Sequence, residues 1–81
     1  MDKETINKLK KWVEDHPEEA DAKQINLTTG KEFTMREVLN EVAEADNQGV
    51  ILKEGVVILG KTLDKEDLEV IDNTESWIKR I

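Results

Sequence analysis

Residues 28 to 37 read TTGKEFTMRE, and whether they cradle a ligand or turn the chain into a helix decides the fold. A phosphate-binding loop needs an earlier glycine at a fixed distance and a Ser or Thr after its lysine to reach magnesium. Here that glycine is missing and Glu32 follows Lys31. A structural purpose uses every notable residue instead. Thr28, Thr29 and Gly30 supply turn chemistry, with Gly30 able to take positive φ. Phe33 returns towards the core. Thr34 followed by Glu37 fits a capping box, in which hydroxyl and carboxylate satisfy reciprocal backbone N–H groups. The stretch closes a small hairpin and starts a helix.

Beyond that cap, Val38, Leu39, Val42 and Ala45 form an apolar stripe at helical spacing, and Gly49 is placed to end the helix in the left-handed conformation. Upstream, KQINL at 23–27 alternates, with Ile25 and Leu27 on one face as a half-buried strand requires. Further upstream, Ile6, Leu9, Trp12 and Val13 mark a first helix that Pro17 stops. The acidic run EDHPEEAD at 14–21 has no apolar period and is expected to be a solvated, mobile connector with a helical turn after Pro17.

Downstream, VIL at 50–52 and VVIL at 56–59 flank Lys53, Glu54 and Gly55 and predict a second hairpin, which Gly60, Lys61 and Thr62 then leave. Asp64 is placed to cap a last helix. Leu68, Val70, Ile71, Thr74, Trp77, Ile78 and Ile81 cover its apolar face, and Asp72–Asn73 is a candidate interruption. The expected fold is α+β: one small domain spanning residues 1–81, three helices packed on a small, short-stranded antiparallel sheet. A mainly α domain is the alternative.

With 37% hydrophobic and 38% charged residues in an 81-residue chain, the apolar side chains must be concentrated on a few faces to offset chain entropy. Cysteine is absent, which removes disulfides, thiolate nucleophiles and Cys-based zinc sites. The opening MDKETINKLKKW lacks the apolar core of a signal peptide, and VVIL is too short to cross a bilayer. A soluble, cytoplasmic protein without membrane contact is expected. A net charge of −7 opposes broad contact with phosphate backbones, so no direct nucleic-acid partner is expected; it suits a protein partner with a basic surface.

Catalytic and metal chemistry find no firm carrier. EADNQGVILKEG at 44–55 mimics a calcium loop, but its twelfth position is Gly55 where a bidentate Glu belongs, and it begins on Glu44. His16, the only histidine, sits among acidic residues in a run too irregular for metal geometry. Ser76 is the only serine, Tyr is absent, and nothing pairs a nucleophile with a base. The expectation is a protein that is not an enzyme and carries no cofactor or metal.

Surface contacts remain. Glu37, Glu41 and Glu44 lie at helical spacing, away from Val38 and Val42, and predict a continuous acidic strip. Glu66, Glu69, Asp72 and Glu75 extend acidic surface on the last helix. Trp12 and Trp77 would join the chain ends if paired in one core, or anchor an interface if exposed. The leading expectation is a small acidic regulatory or protein-binding domain, with homodimerisation as one form of its contacts. The alternative is an acidic inhibitor of phage or mobile-element type, a nucleic-acid mimic blocking a basic groove.

Overall fold

The computed structural model describes every residue from Met1 to Ile81. In chain order the elements are α1 (Lys3–Asp15), α2 (Pro17–Asp21), β1 (Gln24–Ile25), β2 (Glu32–Phe33), α3 (Met35–Gln48), β3 (Val57–Ile58), β4 (Lys61–Thr62) and α4 (Lys65–Arg80). Helices hold 59% of the chain, whereas no strand exceeds two residues. The helices therefore pack on one another. The strands form two separate antiparallel ribbons, β1–β2 and β3–β4, rather than the single sheet expected as a platform.

Each long helix starts on a side-chain cap. Asp2 accepts the Thr5 N–H at 2.8 Å and Thr34 accepts the Glu37 N–H at 3.1 Å. Only the hydroxyl half of the expected Thr34–Glu37 box forms; the complete box lies at α4. There Asp64 Oδ1 accepts the Asp67 N–H at 2.8 Å and Asp67 Oδ2 accepts the Asp64 N–H at 3.0 Å. Gly49 ends α3 at φ 68°, and the Val50 N–H reaches back to the Ala45 carbonyl at 2.9 Å, a Schellman-type stop. α4 runs unbroken through Asp72–Asn73, because capping at Asp64 and the packing of Ile71, Thr74 and Ile78 outweigh the weak helix propensity of those two residues.

The fourth helix, α2, falls inside the run expected to be a connector. Pro17 sits at its first turn, where the missing N–H is not needed, and Ala20 is fully buried against the main core. One alanine thus anchors a segment whose other side chains are all exposed. Ile6, Leu9 and Val13 of α1, Val38, Leu39 and Val42 of α3, and Ile71 and Ile78 of α4 form that core. Ala45, Ile58 and Leu63 form a smaller cluster, and Leu52 packs against both.

Both ribbons depart from the expected strands. In the first, Gln24 pairs with Phe33 and Ile25 with Glu32. Asn26 begins the turn, its side chain accepting the Thr28 N–H at 2.9 Å and its carbonyl the Gly30 N–H at 2.7 Å. Leu27 therefore stands in the loop, 97% exposed, and Ile25 is 56% exposed; neither occupies a buried strand face. In the second, Lys53, Glu54 and Gly55 do turn, but residues 50–52 are not a strand. Val57 pairs with Thr62 and Ile58 with Lys61 around Leu59–Gly60.

Leu59 and Gly60 take φ of 52° and 76°, the two positive values that a tight two-residue hairpin demands. Leu59 is the only non-glycine residue there, and its side chain is 60% exposed. Leu59→Asn, which tolerates this conformation, is expected to raise unfolding free energy by about 0.5–1 kcal/mol in urea denaturation. A loss of stability would show that the Leu59 side chain holds the turn by packing.

Candidate functional site

The expected acidic strip does not survive the tertiary fold. Glu37 is exposed, but Glu41 is only 8% exposed and its Oε1 accepts from Lys61 Nζ at 3.1 Å. Glu44 is half-buried and binds the Gln48 amide at 2.7 Å. Docking of the β3–β4 ribbon across α3 carries Lys61 onto Glu41, something helical periodicity cannot reveal.

Glu41 belongs to a charge cluster that ties α3, β4 and α4 to the loop between β1 and β2. Asp67 Oδ1 lies 2.9 Å from both Lys31 Nζ and Lys61 Nζ, and Lys31 also reaches Asp64 at 3.3 Å. Burial opposes ionisation of Asp67, but the Asp64 N–H and the two ammonium groups outweigh it and hold the carboxyl well below 3.8. The bond to Asp67 raises the Lys31 pKa above 10.5 despite desolvation. Desolvation also opposes the charged form of Lys61, and its bonds to Asp67 and Glu41 outweigh that, so its pKa is raised too. Lysines stabilised as cations are poor general bases, and the space at the cluster is about 20 Å³, room for a water rather than a substrate. The arrangement is a structural clamp.

Trp12 and Trp77 do meet, edge to face, with ring centroids 4.8 Å apart and planes at 87°. Both are half-buried and pack against the main core. Each is thus partly a core residue and partly a surface residue. Trp77 and Met35 line two adjoining depressions, of about 370 and 330 Å³. Ile25, Leu27 and Phe33 of the first ribbon and Val70 of α4 wall the first; Trp12 and Ala22 wall the second. Val70, Thr74 and Trp77 recur at helical spacing and form one edge of a continuous apolar groove. Gln24, Asn26, Asn73 and Glu19 provide its polar margin.

Nothing in the groove supplies a nucleophile with a positioned base. Thr74 donates its hydroxyl to the Val70 carbonyl at 2.8 Å. His16 stacks near Trp12, centroids 5.2 Å apart, with Nδ1 3.8 Å from Glu19. No three His, Asp or Glu side chains converge on a common point. The groove offers mainly apolar surface, with Asn26, Thr28 and Asn73 also in its lining.

Sequence reasoning found Trp12 and Trp77 but missed the opposite wall. Ile25 and Leu27 were expected to face inward; the available signal was Asn26-x-Thr28, whose turn propensity competes with an extended strand. Met35 at the first turn of α3 gave no periodic signal. No helix is long and apolar enough to cross a membrane. No family model, curated protein or solved structure shows a significant match to the chain.

Proposed function

We propose that this chain is a small, acidic, non-enzymatic protein-binding domain whose groove around Trp77 takes an apolar segment of a partner protein, with basic residues flanking the anchors. The observation that carries this is the groove itself: a half-buried tryptophan and Met35 in its lining, and Leu27 and Ile25 displayed to solvent beside them. A rigid aromatic in a partly desolvated depression is the type of residue on which interface energy concentrates. The net charge of −7 selects a basic partner and speeds encounter with it. The nucleic-acid mimic lacks comparable support, since it requires the continuous strip that Glu41 and Lys61 interrupt.

Peptides selected from a random display library supply the test, with tryptophan fluorescence as the reading of affinity. Selected sequences are expected to combine Leu, Ile or Phe anchors with flanking Lys or Arg. Leu27→Asp is expected to weaken them at least tenfold with an unchanged melting temperature, since Leu27 supports nothing in the free fold. Equal binding by the variant, or selected peptides without that pattern, overturns the proposal. So does concentration-dependent self-association abolished by Leu27→Asp, which would make a second copy the occupant.

A further inference from the structure

α4 has a second apolar edge on the side away from Trp77. Leu68, roughly half a helical turn from Val70 and Trp77, and Ile71, about a third of a turn from them, line a separate cleft of about 370 Å³ with Val42 and Ala45 of α3. Residues 50–52 form its third wall, where Ile51 is largely exposed. The charged side chains in this lining have one sign. Asp46 comes from the last turn of α3 and Asp72 from α4; both are exposed, and neither takes part in an ion pair. The last turn of α3 carries no basic residue, so the negative end of its dipole adds to the same field. The Met1 ammonium also lines the cleft, buried and paired with Glu75 at 3.4 Å, so its charge is offset there.

A cleft walled mainly by hydrophobic residues, whose charged side chains are two carboxylates, disfavours anions and gives a neutral apolar molecule no use of the field. A cation on an apolar stem matches both features. We propose that this cleft binds a small organic ammonium: a protonated amine lying between Asp46 and Asp72, its stem against Leu68, Ile71 and Val42. Its volume is at the low end for small-molecule sites, about 300–1,000 Å³, which suits a short alkyl chain or a single aromatic ring. The site is independent of the Trp77 groove, so either can fail without the other.

The experiment is an amide chemical-shift titration of the whole chain with hexylammonium and, separately, with n-hexanol, the uncharged molecule of similar shape. Hexylammonium is expected to shift Gly49, Val50, Ile71 and Asp72 saturably and to bind about tenfold more tightly than the alcohol at low salt. The double variant Asp46→Asn, Asp72→Asn, altered only at exposed positions, is expected to bind the two equally. An end-blocked lysine peptide is expected to bind more weakly than hexylammonium. Equal affinity for alcohol and amine in the wild type overturns the proposal, as does amine binding unchanged in the double variant or no saturable shift at this cleft. Tighter binding of the lysine peptide would assign the cleft to a protein side chain and overturn the small-molecule assignment.

Discussion

Asp67→Ala is expected to lower the unfolding free energy by about 3 kcal/mol, measured by urea denaturation at neutral pH. The substitution removes half of the capping box of α4 and leaves Lys31 and Lys61 without their shared carboxylate. Breaking a fully buried ion pair costs about 3–5 kcal/mol. Both lysines are more than a third exposed, so part of their loss is recovered by hydration. For a domain of this size, whose total stability is of order 5–10 kcal/mol, that is a large fraction. A loss below about 1 kcal/mol would mean that water solvates the lysines as well as Asp67 does.

The same cluster sets a pH dependence. The folded carboxyl of Asp67 titrates below its ordinary 3.8, so its contribution is complete above about pH 4 and is lost as pH falls through the folded value. Lys31 and Lys61 titrate above 10.5 in the fold, so their contribution is complete below that pH and is lost as pH rises through the raised values. A stability plateau between these limits is expected. In Asp67→Ala the acid limb should be shallower, retaining the smaller effect of Asp2, lowered by its bond to Thr5, and of Asp21, lowered by Arg36. An unchanged acid limb would remove the cluster from the account of acid unfolding.

Leu9→Ala is expected to cost about 3–4 kcal/mol, with a drop in both thermal and urea midpoints. Leu9 is fully buried in the core shared by α1, α3 and α4, and truncation leaves a cavity that three helices cannot all close around. Ile51→Ala, at an 81% exposed position, should change stability by less than about 0.5 kcal/mol. Comparable losses at the two positions would contradict the placement of the core. The comparison also separates stability from recognition at the Trp77 groove, because neither Leu9 nor Ile51 lines it.

The elements legible in advance were those whose instructions are local. Asp64 and Gly49 perform the capping roles expected of them and Thr34 its half, while the stripes of α1, α3 and α4 face the core except at Ile81, which lies beyond α4 and is exposed. The ribbons were less legible. Their pairing rests on turns, and the decisive turn at Leu59–Gly60 uses a leucine where sequence preference favours Asn or Gly. Ala20 escaped notice because one small buried side chain in an acidic run has no period.

By itself the sequence determined where the long helices begin and end, which of their faces are apolar, and that the surface is acidic, because caps, glycine stops and periodicity act within a few residues. Only the tertiary structure decided which carboxylates remain available and where apolar surface stays uncovered. Lys61 neutralises Glu41 from 20 positions away and Lys31 meets Asp67 across 36, while Leu27 joins Trp77 in one groove. Such encounters depend on how separate segments pack, and no local pattern encodes them.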